Sequence, residues 1–287
     1  MSGGSRAAQL ALPHWKHLAS EWLPPLLVRW FNARVRRQTI RYAGDYRAWE
    51  DARRDSNGYD AAFILERVAE ALGKVRDGKA AAERDSVVLD RIEYPFPLLA
   101  GLLRAACRNG NRLHVLDIGG SLGSTYFLCR RFLNAVAEVR WSIIEQAAFV
   151  ARGRASFQTD EVRFYIDLNE FLAEQAPHVL LLSSVLSYLP SPHCFLDEVL
   201  THPFSDVIID RTGVFEIARD RLTVQHVPAS IYGWPVSYPA WIFNRARLLE
   251  HLSRRYEVDT EFPTPDGLAE ADGTPVLYCG FLLSQRA

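Results

Sequence analysis

The 287-residue chain has only four cysteines, Cys107, Cys129, Cys194 and Cys279, and no two of them form a C-x-x-C pair. That scarcity excludes a disulfide framework and argues against a structural zinc site. Reduced thiols in a cytoplasmic protein are the expectation. Charge of one sign is also lacking, since 33 Lys and Arg stand against 34 Asp and Glu for a net charge of −1. No global positive field exists to hold nucleic acid, so none is expected as a partner. No apolar run is long enough to span a bilayer, and no basic segment followed by an apolar run and a cleavage site marks a signal peptide. Tight His/Asp/Glu ligand clusters are missing too, and no metal is expected. What is present is a 48% hydrophobic chain, long enough for one large core or a core with an appendage.

The chain is organised around Leu113-His-Val-Leu-Asp-Ile-Gly-Gly-Ser-Leu-Gly-Ser124. An apolar β-type run stops at Asp117, opens into a glycine-rich turn and continues into Thr125–Leu133, which reads as a helix without Gly or Pro. A strand, glycine turn and helix bring backbone N–H groups close to a nucleotide-like ligand in a parallel α/β sheet. Gly119, Gly120 and Gly123 permit backbone angles and close approaches that a Cβ would obstruct.

Around this turn the chain alternates. Val139–Glu145, Val162–Asp167, His178–Ser183 and Asp206–Asp210 read as further strands, with helix-sized segments such as Asn169–Gln175 and Pro192–Leu200 between them. Arg255–Phe262 and Val276–Gln285 lie too close together for a crossover helix and predict an antiparallel hairpin that closes the sheet. Upstream, residues 44–110 read as mostly helical: Ala61–Val75 has helical apolar spacing with Asp60 as its cap, and Gly78–Asp85 predicts a turn and a short helix. The Tyr94-Pro-Phe-Pro97 breaker leads into a helix over Leu98–Arg108. The expectation is an N-terminal helical extension or cap over residues 1–87 and a ligand-binding α/β domain over 88–287. Residues 1–12 read as disordered. From His14 to Tyr42, Trp15, Trp22, Trp30 and Phe31 mix with arginines, which fits either peripheral contact with the inner membrane or a helix docked on the main domain.

A dinucleotide fingerprint G-x-G-x-x-G would need glycines where Ser121 and Ser124 stand. The segment instead reads D-x-G-x-x-x-G and resembles the first motif of class I S-adenosylmethionine-dependent methyltransferases, with Ser121 in place of the middle glycine. That resemblance implies an α/β, Rossmann-like, mostly parallel seven-stranded sheet with an antiparallel C-terminal hairpin, and S-adenosylmethionine as cofactor. It implies that Asp117, Gly119, Gly120, Ser121 and Gly123 shape the cofactor turn, that Glu145 accepts both ribose hydroxyls, and that Asp167 meets the adenine amino group. Ser183 and Ser184 open the segment through Leu189 that lines the cofactor pocket in that family. Taken on their own residues, Glu145 and Asp167 are equally solvated carboxylates at strand ends, and Asp117 a turn cap.

A narrower resemblance runs from Gly44-Asp-Tyr-Arg-Ala-Trp49 through Ser56–Asp60, Glu83-Arg-Asp-Ser-Val87, Asp210-Arg-Thr212, Gln225-His-Val-Pro228 and Ser237–Phe243. It is to a bacterial family assigned as methyltransferases and associated with surface-polysaccharide biosynthesis. It implies O-methylation of a sugar or a polysaccharide precursor. A transfer to a hydroxyl needs an aligned acceptor and a base. The candidate catalytic residues are His226, whose imidazole titrates near neutrality, with Asp210 and Tyr232. Arg211, Tyr238 and Trp241 are the candidate substrate contacts, and Tyr94 and Phe96 the candidates for closing over the cofactor. Two other readings stand beside this one: a non-catalytic binding module with the cofactor fold, and an NAD(P)-dependent oxidoreductase.

Overall fold

Five apolar runs, each followed by a helix-sized segment or a turn, pair side by side in the computed structural model of the chain, which describes residues 40–58, 61–84, 87–89, 91–229 and 233–286. Asp60, Tyr232 and the basic aromatic stretch up to residue 39 lie outside the described residues. In chain order come β1 (Arg41–Tyr46), α1 (Trp49–Arg54), α2 (Ala61–Arg76), β2 (Ala82–Arg84), β3 (Val87–Leu89), α3 (Phe96–Arg108), β4 (Arg112–Ile118) and α4 (Ser124–Leu133). They are followed by β5 (Glu138–Ile144), α5 (Ala147–Ser156), β6 (Val162–Tyr165), α6 (Leu168–Glu174), β7 (Val179–Ser183) and α7 (Pro192–Val199). The chain ends with β8 (Asp206–Phe215), β9 (Arg221–Val227), β10 (Val236–Asn244), α8 (Arg245–Leu252), β11 (Tyr256–Ala271) and β12 (Thr274–Gln285).

The sheet runs β10-β9-β1-β11-β12-β8-β7-β4-β5-β6. Strands β8, β7, β4, β5 and β6 are parallel, and β12 is antiparallel to both β8 and β11. The closing hairpin thus lies where the sequence predicts it, with both strands longer than expected. Among the described residues the sheet has ten strands where seven are expected. The additions are β1, β9 and β10; β1 and β9 lack an apolar run, and β10 carries a proline that argues against a strand.

Strand β7 is buried on both faces, as a central parallel strand should be. Each of its leucines contributes about 1.5–3 kcal/mol by leaving water. One face of the sheet packs Leu65 and Val68 of α2, Leu98 and Leu102 of α3, Leu133 of α4 and Val150 of α5. The other packs Phe171 of α6, Leu196 of α7 and Leu248 of α8. Pro97 in the first turn of α3 costs no intrahelical bond, which is why the Pro-Phe-Pro breaker starts that helix.

Beyond Asp210 the chain does not leave the sheet. Strand β8 continues to Phe215, and β10 returns to pair with it at Phe243↔Val214 and Asn244↔Phe215. With β12–β11, β11–β1, β1–β9 and β9–β10 also paired, six strands close on themselves. This barrel grows out of the carboxyl end of β8, and Tyr42, Phe215, Ala240, Ile242 and Val276 pack in its interior. Residues 44–110, expected to be mostly helical, therefore begin with strand residues, and the short helix expected before Asp85 is the first strand of the β2–β3 hairpin. Among the described residues no helix is long and apolar enough to cross a membrane.

Candidate functional site

The turn from β4 to α4 is held from both sides. Gly119 N–H donates to the Ile144 carbonyl at 2.9 Å, which ties the turn to the end of β5. Gly119 has φ +75°, and a Cβ there would stand 2.6 Å from Val185 Cγ2. Gly120 covers the Asp117 carboxylate so closely that a Cβ would lie 2.5 Å from Oδ2. Gly123, at φ +99°, caps α4 without a side-chain bond. Ser121 adopts φ 55°, the left-handed region that glycine enters most cheaply. That explains why a glycine belongs to the motif at this position, and shows that serine reaches the same backbone.

Asp117 is 1% exposed at the end of β4. Its Oδ2 accepts Trp141 Nε1–H at 3.0 Å, and its buried Oδ1 has no partner. Burial pushes its pKa up to about 7, helped by Glu145 and opposed by the Trp141 bond. Glu145 follows β5 and is half-buried. Burial raises its pKa, while backbone N–H groups of Gln146, at 2.8 Å, and Ser121 pull it down. Glu145 and the glycine turn therefore face each other at the carboxyl end of adjacent strands.

Asp167 lies after β6 on the same edge, with a structural task of its own: its Oδ1 caps α6 by accepting Glu170 N–H at 2.8 Å. At the end of β7, Ser183 Oγ donates to Asp210 Oδ2 at 3.4 Å, and Ser184 N–H donates to the Asp210 carbonyl at 2.9 Å. Asp210 is buried, which raises its pKa, and Arg211 partly offsets the shift. Arg211 makes a two-pronged ion pair with Asp266, Nε to Oδ2 at 2.9 Å and Nη2 to Oδ1 at 3.0 Å. Ser121, Ser184 and Arg211 have φ between 53° and 56° and follow or sit in β4, β7 and β8. Left-handed backbone at non-glycine residues costs of order 1 kcal/mol or more each, and three of the five such residues among those described lie on this edge, Asn111 and Asp272 being elsewhere.

Not every expected residue gathers there. On β9 and β10, Gln225 pairs with Tyr238 and His226 with Ser237. Alternation puts Tyr238 and Gln225 on one face, His226 and Trp241 on the other. Tyr238 meets Tyr188, the residue before Leu189 in the post-β7 segment, with ring centroids 5.4 Å apart. Trp241 packs with Leu222, Val224 and Ala52 of α1 outside the barrel. His226 shares that outer face, where burial and Arg41 lower its pKa. It does not face the side of β9 on which Tyr188 and Gln225 meet. Tyr94 and Phe96 pack on Phe132, near the far end of α4 from the glycine turn. Eight residues of helix separate them from Ser124, about 12 Å of rise.

Other residues join the edge without a local sequence signal. Glu83 on the β2–β3 hairpin is buried and accepts Ser124 Oγ–H at 2.6 Å, so the hairpin covers the start of α4. Asp266 is held below the usual carboxylate range by Arg211, against its burial, with Arg84 assisting. Tyr42, Tyr278 and Gln225 adjoin Tyr188 and Tyr238. Among the described residues no group of three or more His, Cys, Asp and Glu is arranged to hold a metal ion.

No protein-family model matches the chain, and no curated protein matches its sequence. Solved structures with some likeness include the Burkholderia thailandensis 1,6-didemethyltoxoflavin-N1-methyltransferase with bound 1,6-didemethyltoxoflavin and S-adenosylhomocysteine (15% identity, 79% of this chain and 89% of that one, TM-score 0.39). The glycopeptide N-methyltransferase MtfA complexed with sinefungin is 13% identical over 66% of this chain and 87% of that one, with TM-score 0.45. The magnesium protoporphyrin IX methyltransferase ChlM of Synechocystis PCC 6803 with bound S-adenosylmethionine is 12% identical over 97% of this chain and 100% of that one, with TM-score 0.41. Likeness of this degree assigns no activity to the chain.

Proposed function

We propose that the chain transfers a methyl group from S-adenosylmethionine to a hydroxyl of a sugar or polysaccharide precursor. The observation that carries the cofactor half is the glycine turn facing Glu145 across the ends of β4 and β5, on a parallel sheet closed by an antiparallel strand. The residues fit a nucleoside with a ribose. Two backbone N–H groups occupy part of the Glu145 carboxylate, and a carboxylate offers about four acceptor sites, which leaves room for two hydroxyl donors. The exposed side of Asp167, beyond its capping bond, suits an amino group at the same edge.

Bound S-adenosylmethionine supplies a methyl group made electrophilic by its sulfonium. The protein then has to hold the acceptor hydroxyl in line and take its proton. Asp210 is the base favoured here, because it ends the parallel part of β8 and burial raises its pKa above the usual carboxylate range. Arg211 is saturated by Asp266 and serves to shape the site more than to bind an anion. His226 faces away and is assigned no step.

The test is transfer of labelled methyl from S-adenosylmethionine to a panel of methyl glycosides. Asp210→Asn is expected to lower turnover by about 10²-fold or more, the usual contribution of a positioned base, and His226→Ala to leave it within a factor of a few. Equal loss in both variants would return the base to His226, and no transfer to any hydroxyl acceptor would overturn the assignment.

A further inference from the structure

The barrel that β8 enters after Asp210 carries four phenols at one level. Tyr42 on β1, Gln225 on β9 and Tyr238 on β10 are consecutive register partners, so their side chains leave the same face in a row. Tyr188, from the short 3₁₀ turn after β7, donates its hydroxyl to Gln225 Oε1 at 2.8 Å and stands edge-on to Tyr238. Tyr278 on β12 completes the ring, its hydroxyl hydrogen-bonded to that of Tyr42. Burial raises the pKa of Tyr42, and Tyr188, Tyr278 and Tyr238 each raise it further, as phenols do only when close together. Below this level the barrel is filled mainly by Phe215, Ala240, Ile242 and Val276, with the buried Thr223 hydroxyl satisfied by the Ala240 carbonyl at 2.8 Å. Tyr42 is 3% exposed, while Tyr188, Tyr238 and Tyr278 remain partly open.

We infer that this tyrosine ring is the floor of the acceptor site, and that it selects a neutral, polyhydroxylated ring. The inference rests on the methyl-transfer reading only for its name as acceptor; the ring's own chemistry defines its ligand. Phenols donate and accept, Gln225 does both, and aromatic faces offer an apolar body behind each polar tip. These groups suit a ligand with hydroxyls on its rim and C–H groups on its faces. The neighbouring charges cancel: Arg211 and Arg84 stand with Asp266 and Asp210. Among the described residues, a phosphate or carboxylate would find no uncompensated cation there, and an ammonium no uncompensated anion. The ring also adjoins the methyl-transfer edge, because Arg211 and Asp266 sit close enough to Tyr278 to shift its pKa in opposite directions.

Ligand-observed saturation-transfer NMR on the full chain tests this, with methyl β-D-galactopyranoside and methyl α-D-mannopyranoside as neutral probes, glucuronic acid as the acidic probe and glucosamine as the cationic one. The neutral glycosides are expected to show transfer. Tyr278→Phe and Tyr188→Phe should each weaken it about five-fold, the effect of one lost hydrogen bond, and Tyr238→Ala by more. Affinity for S-adenosylhomocysteine, measured by calorimetry on the Tyr278→Phe sample, should not change. The Phe variants keep the rings, so the test survives if Tyr238→Ala does not fold. Absence of transfer from the neutral glycosides, preference for either charged sugar, or unchanged transfer in both Phe variants would overturn the inference. Glycoside binding without S-adenosylhomocysteine binding would remove the methyl-transfer reading and leave the ring as a sugar site.

Discussion

Replacing Gly120 with alanine sets a methyl group against a carboxylate that has nowhere to go. The new Cβ would lie 2.5 Å from both Asp117 Cγ and Oδ2 and 2.9 Å from Oδ1. Asp117 is buried and held by Trp141 Nε1–H, and Trp141 is itself fully buried, so relief requires the carboxylate to swing and drop that bond. Overpacking costs about 1–3 kcal/mol, and a buried N–H left without an acceptor about 1–3 kcal/mol more. The expected loss is roughly 2–6 kcal/mol. Gly78 is the control: its φ is +70° and nothing lies within 4 Å of a Cβ built there, so Gly78→Ala carries only a backbone penalty, about 1 kcal/mol. Urea unfolding followed by tryptophan fluorescence measures both. The loss at Gly120 should shrink to about 1 kcal/mol or less when Asp117 is first changed to alanine, since the coupling lies in that contact. A Gly120→Ala protein no less stable than Gly78→Ala, or a loss unchanged in the Asp117→Ala background, would refute the packing argument.

Three further outcomes follow from the same geometry. Ser121→Gly relieves a left-handed residue and should raise stability by about 0.5 kcal/mol in the same urea assay, with glycine's greater freedom in the unfolded chain offsetting the rest of the relief. Because the folded pKa of Asp117 is raised to about 7, the folded protein binds the extra proton, and stability falls as pH rises from the unfolded carboxylate range, near about 4, through 7. Asp117→Asn should therefore gain on the wild type across that window, and a difference independent of pH would contradict the burial argument. His178 works in the opposite sense: its Nε2 accepts His114 N–H at 2.8 Å, and burial, with His114 beside it, lowers its pKa. Its contribution is complete above about 6.5 and is lost as pH falls toward the depressed value, so thermal scans between pH 7 and 5 should show a decline that His178→Leu flattens.

The centre of the parallel half was legible because β7 and the start of β8 are buried on both faces and read as apolar runs, as in Val-Leu-Leu-Leu of β7. The glycine turn was legible because its backbone demands small residues at fixed positions. The barrel was not. Its interior at the level of Gln225 is polar, so β9 reads Leu-Thr-Val-Gln-His-Val with neither a clean apolar run nor a clean alternation. The ring itself joins residues 236 positions apart, Tyr42 and Tyr278, which no local pattern can pair. His226 attracted attention for its chemistry alone, and strand alternation, which depends on register, decided where it points. Glu83 belongs to a resembling segment but had no role there, and Asp266 had no signal, because each matters only through a partner distant in the chain.

The central claim is that the β4–α4 turn and Glu145 together hold the ribose-bearing part of S-adenosylmethionine. Calorimetric titration of the full chain with S-adenosylhomocysteine, alongside Glu145→Ala and with NAD and NADP as controls, tests it most directly. The account predicts micromolar-range binding of S-adenosylhomocysteine, weakened about tenfold or more by the loss of hydrogen bonds to a charged acceptor, and no comparable binding of either dinucleotide. Binding of NAD or NADP in its place, or S-adenosylhomocysteine affinity indifferent to Glu145, would contradict it.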